Sequence, residues 1–146
     1  MARHTHSCAV RWFDMDAYGH VNNVTFLRYL EEARMDFAQK QAETTEGGIP
    51  VSVVAQHDIT YLRPLRYRSE PVIVEMWVTE LGARSFKLAY EVKDRPGMPA
   101  DANDVYVRAA TVMVPYDLSH SRPRPLSVQE RGVLAGFLEG PVLAQG

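Results

Sequence analysis

Cysteine is almost missing from this chain, since Cys8 is its only one in 146 residues. One thiol can close no internal disulfide, and a cysteine-based zinc site is not expected. Long apolar runs are missing too. Nothing approaches the roughly 20 residues that cross a bilayer, and the polar start Met1-Ala2-Arg3-His4-Thr5-His6 is unlike a signal peptide. A soluble, cytoplasmic protein with no membrane partner is therefore expected. Excess positive charge is absent as well. Sixteen basic residues stand against eighteen acidic ones, a net charge of −2, so no global field exists to hold a nucleic acid. Any phosphate must be met by a local cluster of arginine and lysine. No Gly-x-Ser-x-Gly elbow, phosphate-binding loop or dinucleotide fingerprint occurs, and no cofactor is implied. Repeats and low-complexity linkers are also lacking, so a single domain over 1–146 is expected.

What is present is a hydrophobic share of 46%, enough for a core, arranged in two periods. From Asn23 to about Glu43, Phe26, Leu30, Ala33 and Phe37 recur at three- and four-residue steps, with Tyr29 beside them, as on one face of a long helix. Asn22 or Asn23 can cap its start, and Gly47-Gly48 and Pro50 end it. Elsewhere the period is two. A first strand is predicted over Thr5 to Phe13, with Cys8, Val10 and Trp12 on one face. Further strands are predicted over Val51 to Leu62, Val72 to Thr79, Phe86 to Lys93 and Val105 to Val114, the last ended by Pro115. Leu81-Gly82-Ala83-Arg84 forms a hairpin turn, and Asp94 to Asp104 forms a longer loop. Leu126 to Leu138 carries a terminal helix, with Ser127 and Glu130 as a capping box. The predicted class is α+β, an antiparallel sheet of about five strands wrapped around one long central helix.

Between the first strand and that helix runs Arg11-Trp12-Phe13-Asp14-Met15-Asp16, then Gly19-His20-Val21-Asn22-Asn23. The string resembles the signature of the 4-hydroxybenzoyl-CoA thioesterase family of hotdog proteins. The likeness is detailed from Val10 to Arg34 and looser through Ile59-Thr60-Tyr61-Leu62-Arg63-Pro64-Leu65 to about Asp117. It implies an acyl-CoA thioesterase with Asp16 as catalytic carboxylate and the backbone N–H of Asn23 polarising the thioester carbonyl. It also implies a homodimer or homotetramer, with an acyl-CoA (or an acylated carrier protein) as substrate. The chemistry is reasonable on its own terms. Thioester hydrolysis builds negative charge on the carbonyl oxygen, and a helix N-terminus offers unpaired N–H groups and about half a positive charge. A carboxylate nearby can attack the carbonyl or deprotonate a water. The turn Ala17-Tyr18-Gly19-His20 departs from the family's namesake, and Gly19-His20-Val21-Asn22-Asn23 looks like the broader branch acting on fatty or other acyl-CoAs.

Tyr18, Gly19 and His20 in that turn, with Arg63, Arg84 and Ser85 further on, are the substrate-binding candidates, the arginines because their forks suit phosphate. Asp14 reads as a turn cap, and with no ordered ligand set beside the two aspartates no metal site is expected. Glu31 and Glu32 are the rival carboxylates, because some hotdog thioesterases place theirs on the helix. Two other functions share this fold: a protein that binds acyl thioesters without hydrolysing them, and a dehydratase or hydratase needing a helix histidine paired with a carboxylate. No basic helix-turn-helix stretch accompanies the first, and His20 precedes the helix that the second requires.

Overall fold

A computed structural model describes residues 3–44, 51–95 and 105–139. Helix α1 spans Asn23–Thr44, about 33 Å at the usual rise, and buries Phe26, Tyr29, Leu30, Ala33 and Phe37. Asn22 caps it: its Oδ1 accepts from the Val24 N–H at 2.9 Å, and its carbonyl accepts from Thr25 and Phe26. The expected stop at Gly47-Gly48 and Pro50 lies outside the described residues, as does most of the loop expected over Asp94 to Asp104.

Around α1 lie β1 (His4–Cys8), β2 (Ser52–Tyr61), β3 (Val72–Leu81), β4 (Phe86–Lys93), β5 (Val105–Asp117) and β6 (Arg122–Pro123). The sheet runs in the order β1-β3-β4-β5-β2, with β6 beside β5, and every pairing is antiparallel. One face supplies Val72, Val74, Met76 and Val78 from β3 and Phe86, Leu88, Tyr90 and Val92 from β4 to the core that receives the helix. This is the α+β hotdog arrangement, with the sheet wrapped around α1. The register sets what lies at each end. Cys8 pairs with Val72, Tyr61 with Val107 and Lys93 with Val105, so the exit of β1, the exit of β2 and the start of β5 share one end. The β3–β4 turn lies at the other.

Several boundaries differ from the sequence reading: β3 runs on to Leu81, the terminal helix covers Val128–Ala135 rather than Leu126 to Leu138, and β6 was not anticipated. Two further differences have a clear physical cause. The first strand ends at Cys8 rather than Phe13, because the Arg11 N–H donates to Asp14 Oδ2 at 2.9 Å and Trp12–Asp14 closes into a single 3-10 turn. Trp12 therefore leaves the core face and is exposed. In turn β5 continues through Pro115 to Asp117. The Tyr116 N–H donates to the Val51 carbonyl just before β2, so Pro115, one residue earlier, faces the side where the β4 ladder has already ended at Phe86↔Met113. No ladder bond is lost there, and the Pro115 carbonyl accepts from Arg124 instead.

Helix α2 (Val128–Ala135) starts at the anticipated capping box. Glu130 N–H donates to Ser127 Oγ at 3.1 Å, and Ser127 N–H returns to Glu130 Oε1 at 2.8 Å. Arg124 holds the same carboxylate with two bonds, of 2.9 and 2.7 Å, in a buried position. The Arg124 hydrogen bond, helped by Ser127, holds the Glu130 carboxyl below its ordinary 4.5 against the opposing effect of burial. A depressed carboxyl contributes stability in full above its unfolded pKa and loses it as pH falls through the folded one. Glu130→Gln should therefore cost about 1–3 kcal/mol at neutral pH, and denaturation curves of variant and parent should converge as pH drops below 4.5. A difference that persists unchanged in acid would contradict this.

Candidate active site

The segment between β1 and α1 is stitched at both ends. Asp14 Oδ2 accepts from Arg11 N–H and, at 2.5 Å, from the Tyr29 hydroxyl on α1, while its carbonyl accepts from Asn22 N–H. Val21 N–H donates to Leu65 at 2.7 Å, and His20 bridges to Arg66. Asp14 is thus the structural member of the aspartate pair. Burial first, then the Asp14 contact, pushes the Tyr29 hydroxyl well above its ordinary pKa, so it remains a donor.

Asp16 sits within a tight turn. Its N–H donates to His20 O at 2.9 Å, and Gly19 N–H returns to Asp16 O at 3.1 Å. Gly19 has φ +79, a conformation a side chain disfavours. Asp16 Oδ1 accepts from Tyr18 N–H at 2.8 Å and lies 3.5 Å from His20 N. Among the described residues nothing donates to Asp16 Oδ2, and the half-buried side chain keeps an open oxygen. The Asn23 N–H likewise makes no hydrogen bond among the described residues, since Val24, Thr25 and Phe26 all turn to Asn22. The Asn23 carbonyl is held by the Tyr61 hydroxyl at 3.0 Å, which ties the first turn of α1 to the end of β2. A free carboxylate oxygen and a free helix N-terminal N–H thus flank one short turn, the parts needed to polarise a carbonyl and to attack it. The imidazole of His20 makes no hydrogen bond among the described residues, so only the backbone of that residue secures the loop.

Trp12, Phe13, Tyr18 and Tyr67 stand exposed around this turn, Phe13 at 95%, and Trp12 packs edge-on against Tyr67 at 5.5 Å. Sequence alternation assigns Trp12 to the core; the Arg11-x-x-Asp14 spacing is the signal that the strand has ended. The basic candidates separate. Arg63 is near the Asp16 end but committed: it lies 4.2 Å over the Tyr106 ring and 3.4 Å from buried Asp94, which Arg68 also holds at 2.6 Å. Arg84 and Ser85 lie in the β3–β4 turn, where Ser85 O accepts from Gly82 N–H at 2.8 Å. With ten residues in β3, that turn stands about 30 Å from the exit of β1 within one chain.

Glu32 is not free. His6, Cys8 and Arg11 all bond its carboxylate, and together they outweigh burial and hold its pKa below the ordinary value. Exposed Glu31 borders an apolar cavity of about 500 Å³ between α1 and the start of β2, lined by Met35, Phe37, Val53, Leu88 and Met113. The cavity begins eight residues into α1, about 12 Å from Asn23.

Residues 10–135 match a family model described as the thioesterase-like superfamily. The PA2801 protein of Pseudomonas aeruginosa, a proposed thioesterase, superposes with a TM-score of 0.74 at 32% identity, over 89% of this chain and 96% of that one. A thioesterase of Thermus thermophilus, solved with coenzyme A and zinc, gives a TM-score of 0.74 at 28% identity, over 94% and 95%. The YsmA protein of Bacillus subtilis is 31% identical over 91 residues, 62% of this chain and 61% of that protein, so the match spans less than two thirds of that relative.

The Tyr29–Asp14 bond gives a direct test of how the site is held. Tyr29→Phe removes only the hydroxyl and should destabilise the protein by about 1.5–3 kcal/mol in urea unfolding, as expected for a hydrogen bond to a charged partner. A loss below about 0.5 kcal/mol would mean that the turn is held by its other bonds.

Proposed function

This chain belongs to the thioesterase-like superfamily, and on that footing we propose that it is an acyl-CoA thioesterase of the 4-hydroxybenzoyl-CoA thioesterase kind, hydrolysing an acyl thioester to free acid and CoA. The reading is supported by an open Asp16 oxygen and an unbonded Asn23 N–H on the one short segment that leads into α1. The Asn23 N–H receives the thioester oxygen as it gains charge. Asp16 then acts in one of two ways. It attacks the carbonyl carbon, expels the CoA thiolate and leaves an anhydride that water opens, or it takes the proton of the water that attacks. The Thermus relative solved with coenzyme A supports CoA as the carrier. The apolar cavity along α1 suits the acyl tail. Among the described residues no helix is long and apolar enough to cross a membrane, and the buried free thiol of Cys8 fits a reducing cytoplasm.

Asp16→Asn keeps the side chain's size and removes its charge. Release of free thiol from a panel of acyl-CoAs should show kcat reduced at least about a hundredfold, the scale of a positioned base. Affinity for a thioether analogue should stay within about threefold, since only a transition-state interaction is lost. His20→Ala, Glu31→Gln and Glu32→Gln should each cost less. Near wild-type turnover by Asp16→Asn would remove the proposal's central residue, and an unaltered chain that binds acyl-CoA but releases no thiol would make it a binding protein.

The working unit is a homodimer or larger assembly in this reading. The β2 strand is a ten-residue edge whose side chains, Val53 and Val54 included, are largely exposed. Such an edge invites a partner strand. Antiparallel pairing of two β2 edges would bring the partner copy's β3–β4 turn, with Arg84 and Ser85, toward the Asp16 end, supplying the phosphate contacts that one chain keeps about 30 Å away. Light scattering should return at least twice the mass of one chain; a monomer at working concentration would contradict it.

A further inference from the structure

Away from the Asp16 turn, the seam between β1 and α1 holds a set of side chains that the proposed hydrolysis does not use. His6 and Cys8 are two apart on β1 and so share a face, while Glu32 and Asp36 are four apart on α1 and share a face. The two faces meet. His6 Nε2 lies 3.1 Å from Glu32 Oε2, and Cys8 Sγ lies 3.3 Å from the same oxygen. All three donor atoms fall within 4.8 Å of one another.

We propose that His6 Nε2, Cys8 Sγ and Glu32 Oε2 form a binding site for a thiolate-accepting divalent transition-metal ion of the zinc class, which fastens β1 to α1. The dimensions fit. Zinc bonds of about 2.3 Å to sulfur and about 2.0 Å to nitrogen or oxygen give tetrahedral edges of about 3.3 Å for N···O and about 3.5 Å for S···O. The observed separations are within a few tenths of an ångström of both. One thiolate and one carboxylate neutralise a dication, so the buried site would carry no net charge. Cys8 is fully buried, whereas the Glu32 side chain is 39% exposed, which leaves a solvent side for the ion to arrive by and for water as a fourth ligand.

Outer groups already orient the donors. His6 Nδ1 lies 3.4 Å from Asp36 Oδ2, the arrangement that presents Nε2 to a metal, and Asp36 is itself held by His4 at 2.9 Å and Lys40 at 3.2 Å. Glu32 Oε1 is steadied by Arg11 at 3.3 Å, leaving Oε2 to face His6 and Cys8. Without an ion, the Cys8 thiol donates to Glu32, and burial together with that carboxylate keeps it protonated. Binding therefore requires the Cys8 proton to leave for solvent, and the Nε2 proton that His6 shares with Glu32 to leave or to sit on Nδ1 facing Asp36, as the metal–ligand bonds form. The site was invisible in sequence because Glu32 lies twenty-four residues beyond Cys8, and the three ligands show no zinc-motif spacing.

Chelator-treated protein titrated with Co²⁺ reads the site without reference to activity. One equivalent should produce a thiolate-to-cobalt charge-transfer band with the visible bands of four-coordinate cobalt. Zn²⁺ should displace it and raise Tm. Cys8→Ser should abolish the charge-transfer band, and Glu32→Gln should weaken binding at least about tenfold. Asp36→Asn keeps all three donors and spares the buried thiol, so it tests the site even if Cys8→Ser folds poorly; it should lower affinity by about 10- to 100-fold. The proposal is overturned if the unaltered protein shows no charge-transfer band and no Tm rise with Zn²⁺, or if folded Cys8→Ser keeps the cobalt spectrum. In the first case the cluster is a hydrogen-bonded seam alone; in the second the ion sits elsewhere.

Discussion

The hydrogen bond from the Tyr29 hydroxyl to Asp14 Oδ2 joins the turn leaving β1 to the second turn of α1, and the candidate site depends on it. Asp14 ends the strand by accepting from Arg11, and its carbonyl takes the N–H of Asn22. That leaves Asn22 free to turn its own oxygens inward as the helix cap. Because the cap satisfies Val24, Thr25 and Phe26 but not Asn23, one N–H stays available at the start of α1. A residue with no proposed chemical role thus positions both of the groups that have one.

The fold was legible where the period of the sequence matched its burial. The five residues that α1 buries are those picked out by its helical spacing, and Val72, Val74, Met76 and Val78 went to the core as their alternation required. Alternation failed at Trp12 because hydrophobicity alone cannot register a turn. The deciding feature was a backbone N–H three residues before an aspartate. Proline misled at Pro115 for a related reason. It breaks a ladder only where a neighbour needs its missing N–H, and the length of β4 decides that.

The site was less legible than the fold. Asp16 and Asn23 stood out through resemblance of a contiguous string, which local spacing can carry. The arginines could not be sorted, since commitment to an internal partner, as for Arg63 with Asp94 and Tyr106, is a property of three separate segments. The His6–Cys8–Glu32 cluster was hidden for the same reason, because a strand and a helix must pack before its atoms meet. Long-range geometry also relates the two proposals. If an ion clasps β1 to α1, it braces both elements that flank the Asp16 turn without entering the reaction.

In the proposed mechanism the thioester oxygen is received by the Asn23 N–H while its carbonyl carbon faces residue 16. A crystal structure of Asp16→Asn with an intact acyl-CoA tests it most directly. The carbonyl oxygen should lie within about 3.1 Å of the Asn23 nitrogen, with residue 16 against the carbonyl carbon and the acyl tail along α1. A thioester seated at Glu31 or on the outer face of the sheet, with the Asn23 N–H left to solvent, would contradict it.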